Sequence, residues 1–200
     1  MDNLKIIIAS TRQGRKGPAV ADWFYTIAAR HIAFNVELID LAVINLPFLD
    51  EPHHPMDKKY QHQHTKDWSG LIDGGDAYVI VTCEYNYGFP APLKNALDYL
   101  HHEWKYKPVG FVSYGGMAGG TRAVQMLKQV VTALDMVPLS DGVHIPSFSK
   151  RIDERGKFNS EESLDKVAYE MLNELARWAT ALKGMRNLSP ALSFGEGEVE

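Results

Sequence analysis

Residues 4–9 read Leu-Lys-Ile-Ile-Ile-Ala, a nearly unbroken apolar run of the kind a parallel sheet buries on both faces. Runs of the same type recur at 35–41, 77–81, 108–113 and 136–145, so five strands are expected. Between them the apolar residues shift to helical spacing. Pro18 suits the first turn of a helix reaching about His31, and a polar helix follows at 58–72. Leu93, Ala96, Leu97 and Leu100 mark a helix from near Pro92, and a glycine-rich turn at 115–120 opens another that runs through Ala133. Leu164, Val167, Ala168, Met171, Leu172, Leu175 and Trp178 then share one face of a closing helix over 161–183.

This alternation predicts an α/β fold in one domain over 1–184, because each parallel strand reaches its neighbour only across a right-handed helical crossover. The expected strand order is 2-1-3-4-5. That order brings the loops after strands one, three and four together at the switch point, where open α/β sheets bind ligands. Residues 185–200 carry Gly and Glu without apolar periodicity and read as a flexible tail.

Composition narrows the function classes. With 200 residues and 45% hydrophobic content, the chain can bury a core without disulfide support. A net charge of -4 argues against a nucleic-acid partner, which would demand a basic face. Cys83 is the one cysteine, so no intramolecular disulfide or cysteine zinc cluster can form, and a reducing compartment is expected. No run approaches the roughly 20 apolar residues that span a bilayer, and the amino terminus lacks a secretory pattern, so a cytoplasmic protein is expected.

Two loops carry candidate chemistry. Residues 10–17, Ser-Thr-Arg-Gln-Gly-Arg-Lys-Gly, set hydroxyls, backbone donors and three cations before a helix amino terminus, whose dipole favours an anion such as phosphate. The spacing is neither a P-loop nor a Gly-x-Gly-x-x-Gly turn. Read alone, the segment serves equally as a solvated basic loop capping a helix. Residues 82–92 join an apolar strand to a helix through Glu84, Tyr85, Asn86, Tyr87 and Phe89, a turn suited to a flat aromatic ligand.

Together these loops make the chain resemble the NAD(P)H-dependent FMN reductase family of flavodoxin-like proteins. Ser10 and Arg12 match its Gly-Ser-x-Arg motif. Glu84-Tyr85-Asn86 and residues 90–98 match its Pro-Glu-Tyr-Asn turn and Pro-x-x-Leu-Lys-Asn-Ala-Leu-Asp helix start. Residues 113–120 resemble its Ser-x-Gly-x-x-Gly-Gly turn. Ala9 stands where the family has glycine, and Cys83 where it has proline.

The resemblance implies a flavodoxin-like three-layer sandwich binding FMN, with NAD(P)H as electron donor. It implies phosphate contacts at Ser10, Arg12, Arg15, Lys16 and Gly17, a ring floor along Thr82, Cys83, Glu84, Tyr85, Asn86 and Tyr87, and a third wall at Ser113, Tyr114, Gly115 and Gly116. Hydride would pass to bound FMN and then, in ping-pong fashion, to a flavin, quinone, azo compound or metal ion. A homodimer or homotetramer is also implied, with Asn95 and Asp98 on an interface helix. A flavodoxin-like electron carrier and a non-catalytic regulatory protein on the same fold are the alternatives.

The remaining candidates read as structural. Cys83 is expected to be an inert buried thiol. The histidines at 53, 54, 62 and 64 form no His-Glu-x-x-His motif, and the 62/64 pair is expected on different faces of a helix, so no metal site is expected. His101 and His102 follow a helix and read either as groups that approach the flavin pocket or a neighbouring subunit, or as a plain helix end with favourable side chains. Arg15, Lys16 and Arg122 suit either a nucleotide 2'-phosphate or FMN itself.

Overall fold

The computed structural model describes residues 1–187. Its order is β1 (Asp2–Ile8), α1 (Gly17–Ala28), β2 (Phe34–Asp40), α2 (Leu41–Ile44), α3 (Gln63–Asp73), β3 (Ala77–Cys83) and α4 (Ala91–Asp98). It continues with β4 (Pro108–Tyr114), α5 (Thr121–Ala133), β5 (Val137–Pro138), β6 (Val143–Ile145) and α6 (Glu162–Asn187).

The strands pair in parallel in the order β2-β1-β3-β4-β5, and β6 also pairs β4. The expected α/β fold and strand order are borne out. β3 and β4 are buried along their whole length, which fits their continuous apolar runs. Leu4, Ile6 and Ile8 of β1 pack toward α1 and α6 on one face, and Ile7 packs toward α3, α4 and α5 on the other. The register sets Ile8 beside both Asp40 and Val81, so β1 and β2 end at one level of the sheet while β3 runs on to Cys83.

The single strand expected over 136–145 is in fact two. Val109 pairs Pro138, an offset of 29 residues, whereas Val112 pairs Val143, an offset of 31. Two extra residues are therefore taken up in the break, which keeps side-chain parity. Pro138 has no N–H to continue the ladder, and a Cβ added at Gly142 would lie 3.0 Å from the Phe111 carbonyl oxygen.

Other boundaries also move. The first helix stops at Ala28, not His31, and the polar helix starts at Gln63 after a short 3-10 turn at Pro55–Asp57. α6 runs to Asn187, three residues past the expected domain end at 184, and the rest of the expected tail, 188–200, lies outside the described residues.

His62 and His64 do not lie on different faces of a helix. His62 precedes α3, and the two rings stack with centroids 5.3 Å apart. His64 Nε2 contacts Asp50 Oδ1 at 2.9 Å and His62 Nε2 contacts the Asp50 carbonyl at 3.2 Å. Among the described residues, no group of three or more His, Cys, Asp or Glu is placed to hold a metal, and no helix is long and apolar enough to cross a membrane.

Candidate functional site

The loops after β1, β3 and β4 meet at the carboxyl edge of the sheet. They enclose a cavity of about 200 Å³ lined by Arg12, Arg15, Lys16, Cys83, Glu84, Tyr85, Tyr114, Gly115, Gly116 and Phe148. Nine of these are residues the sequence had pointed to; Phe148 is not. It comes from the 3-10 turn Phe148–Arg151 after β6, where its ring packs edge-on to Tyr114 at 5.0 Å.

Within the first loop the three cations divide. Arg15 is committed: its guanidinium forms two bonds with Asp40, at 2.7 and 2.6 Å, and a third to the Ser10 carbonyl at 2.9 Å. The bond to Asp40 raises the Arg15 pKa above its ordinary value. Arg15 thus fastens the loop to the end of β2. Arg12 bonds only the carbonyl of its neighbour Gln13, at 3.1 Å, and neither Arg12 nor Lys16 has an ion-pair partner among the described residues. No side chain caps α1, so its first amides stand without a side-chain acceptor.

Ser10 is buried and accepts a bond from the Tyr114 hydroxyl at 3.2 Å. A Cβ added at Gly17 would collide with Ser10 Oγ and lie 2.9 Å from the Tyr114 hydroxyl, so only glycine lets these loops close. Burial raises the pKa of Tyr114, and that of Tyr85 likewise, with the nearby Cys83 thiol adding to both and Arg12 pulling Tyr85 the other way. Both phenols therefore stay protonated at neutral pH; Tyr114 spends its proton on Ser10, which leaves the Tyr85 hydroxyl as the donor beside Arg12 and Lys16. This donor set suits an anion.

The loop after β3 is a two-residue hairpin. Tyr85 and Gly88 exchange backbone bonds of 2.9 Å in both directions, while Asn86 and Tyr87 take left-handed φ values of 50° and 71°. This pattern belongs to a type I' turn, here made without glycine at its tip. It lifts two aromatic rings outward, with Tyr85 39% and Tyr87 62% exposed. Thr82 points inward, its buried hydroxyl donating to the Cys83 carbonyl at 3.0 Å, and Cys83 is buried at the cavity wall. Glu84 pairs with Arg122.

Ser113 is also buried. Its hydroxyl donates to the Gly119 carbonyl at 2.8 Å and lies 2.7 Å from His144 Nδ1. With its one proton spent on Gly119, Ser113 accepts from His144, which fixes the Nδ1–H tautomer. Burial lowers the His144 pKa, so the ring is neutral at neutral pH. Gly120 takes φ 83°, and a Cβ there would lie 2.9 Å from Ser113 Cβ and 3.1 Å from the Tyr114 backbone. Gly120→Ala is expected to cost about 1–3 kcal/mol, read from urea midpoints; an unchanged midpoint would show that the turn can relax.

Thr82, Asn86, Tyr87, Ser10, Gly17 and Ser113 thus shape the site from behind or from its rim and do not line the cavity itself. Asp40, Phe148 and His144 are the structural partners that sequence reasoning missed. Asn95 and Asp98 lie away from the cavity: Asn95 holds the backbone at Pro47 and Leu49, and Asp98 pairs with Lys94.

The model of a family described as NADPH-dependent FMN reductase matches residues 3–150. Over 133 residues the chain is 44% identical to an NAD(P)H-dependent FMN reductase of Schizosaccharomyces pombe, a match spanning 66% of each chain. It is 33% identical over 105 residues to an NADPH:quinone oxidoreductase of Arabidopsis thaliana, covering 50% of this chain and 52% of that one. Among solved structures, the flavoenzyme NAD(P)H:(acceptor) oxidoreductase FerB from Paracoccus denitrificans superposes with a TM-score of 0.68 at 19% identity, covering 90% of this chain and 98% of that one.

Proposed function

Because the chain belongs to the NADPH-dependent FMN reductase family, we propose that it is an oxidoreductase that binds FMN where the three loops meet, takes electrons from NAD(P)H and passes them to a quinone-type acceptor. One observation carries this reading: two cations without ion-pair partners among the described residues, the protonated Tyr85 phenol and a half-open aromatic turn converge on one cavity.

The residues fit FMN. Arg12, Lys16 and the uncapped first turn of α1 suit its phosphate, since a helix amino terminus favours an anion. Ligand pockets ordinarily measure about 300–1,000 Å³. A cavity of about 200 Å³ would enclose only the phosphate end of FMN and leave its ring on the turn. The exposure of Tyr85 and Tyr87 supports a ring face open to a second flat molecule, so donor and acceptor would occupy one place in succession.

Bound FMN supplies the redox chemistry, taking hydride from the nicotinamide and releasing the electrons to the acceptor. The chain binds and orients. Arg12 and Lys16 neutralise the phosphate, while Arg15, Ser10 and Gly17 fix the loop that presents them. Tyr85, Asn86 and Tyr87 support the ring, with Thr82, Cys83 and Glu84 setting their height, and Tyr114, Gly115 and Gly116 close the opposite side. Ser113 fixes that last turn from beneath.

The test is spectroscopic. The purified protein, loaded with FMN, is expected to bleach rapidly with NADPH in the absence of oxygen and to regain its colour with a quinone. Initial rates at several quinone concentrations should give parallel double-reciprocal lines. Protein that cannot be loaded with FMN would refute the reading, and FMN-loaded protein that bleaches only slowly would point instead to an electron carrier.

A further inference from the structure

Arg122 stands in the first turn of α5, yet its guanidinium reaches across to the turn after β3. There it makes two contacts. It pairs with the Glu84 carboxylate, and it lies over the Tyr87 ring, 3.9 Å from the centroid. A planar guanidinium suits both partners, because it can bond a carboxylate edge-on while stacking on an aromatic face.

The turn needs such support. Asn86 and Tyr87 sit in left-handed backbone conformations that side-chain-bearing residues rarely adopt, and the bulky Tyr87 does so with its ring largely in solvent. Glu84 is only 8% exposed, and its Oε2 has no hydrogen-bond partner. Arg122 is therefore the cation that compensates this buried carboxylate among the described residues. It is also the side chain that ties the second site loop to the helix following the third.

We propose that Arg122 is a positioning residue for the flavin ring, acting through Tyr87 and Glu84 to hold the 85–88 turn at its working height. This rests on the reading of the cavity as an FMN site. Losing Arg122 frees the turn to leave its left-handed conformation, and the ring then loses a fixed floor while the phosphate contacts at Arg12 and Lys16 persist. Lysine restores the charge but cannot stack as a plane, so it restores the function only in part.

The test uses Arg122→Met, Arg122→Lys, Tyr87→Leu and the Met/Leu double variant. In the FMN-free protein, Arg122→Met is expected to speed amide hydrogen exchange at Tyr85 and Gly88 more than in the core strands, and to lower the melting temperature because the Glu84 carboxylate loses its cation. FMN affinity should fall roughly tenfold, the FMN midpoint potential should shift, and Arg122→Lys should lie in between. The double variant should lose less FMN affinity than the sum of the two single losses, because part of the support runs through the shared Arg122–Tyr87 contact. Additive losses, or unaltered exchange at the turn, would overturn the proposal. So would a raised KM for NADPH with KM for NADH and FMN affinity unchanged, which would make Arg122 a direct ligand of the nucleotide 2'-phosphate. If the wild-type protein fails to bind FMN, the flavin reading falls, and the exchange rates alone still decide whether Arg122 holds the turn.

Discussion

Glu103→Ala is expected to cost about 3 kcal/mol of stability, lowering the melting temperature by roughly 6–12 °C. Glu103 lies in a short 3-10 turn, His102–Trp104, and is fully buried. Ser69 Oγ donates to it at 2.6 Å, and the Tyr60 hydroxyl lies 3.1 Å from both of its oxygens. Lys58 Nζ lies 3.7 Å from Oε1. Removing the carboxylate strands the buried Ser69 hydroxyl and opens a void beneath Tyr60, whereas Glu103→Gln keeps one acceptor and should cost less.

The pH dependence has a definite sign. Burial pushes the Glu103 pKa up, but the donors around it, Ser69 foremost, outweigh this and hold it below the ordinary carboxylate value. A group whose folded pKa is depressed stabilises above its unfolded pKa, about 4.3 for Glu, and loses that contribution as pH falls through the folded value. The gap between wild type and Glu103→Ala should therefore narrow on acidification below about pH 4. Thermal melts at pH 7 and pH 3 check both points, and a wild-type advantage as large at pH 3 as at pH 7 would refute the carboxylate's part in it.

The second large effect falls on the cofactor. Arg12→Ala is expected to weaken FMN binding about tenfold to a hundredfold by removing a charge-assisted phosphate contact. Melting of the FMN-free protein should hardly change, because Arg12 bonds only the adjacent Gln13 carbonyl. Arg15 makes the opposite contrast. Its cation is already spent on Asp40, so Arg15→Met should loosen the loop and melt the FMN-free protein earlier. Titration of the two variants with FMN, beside their melting curves, separates ligand contact from loop anchoring. Equal FMN affinity in Arg12→Ala and wild type would remove Arg12 from the site.

The division of labour between these two arginines was hidden in the sequence, where 12, 15 and 16 form one basic cluster. Only the β1–β2 register, with Ile8 beside Asp40, puts a carboxylate within reach of one of them. The parallel sheet, by contrast, was legible because continuous apolar runs alternate with helical periods, and the order is the doubly wound one that right-handed crossovers allow. The three loops followed from that order. Phe148 gave no signal, since it opens a four-residue 3-10 turn too short for any periodicity to mark its side. The stacked histidines were misread because a helical period was applied to His62, which sits one residue before α3 begins; Glu51 accepts its amide there at 2.9 Å. The break after Pro138 was written plainly in the residue type and was overridden by the apolar residues around it.

That break bears on how the molecule behaves in a crowded solution. The outermost strands of an open sheet carry unpaired backbone groups and can recruit a strand from another molecule. Here the β4 flank ends in segments of two and three residues, β5 and β6, out of step with one another by two residues and interrupted by a proline. An incoming strand would find no uninterrupted ladder there to extend. Joining β5 and β6 into one regular strand by deleting two residues from the break would lengthen that template and expose the protein to edge-to-edge aggregation.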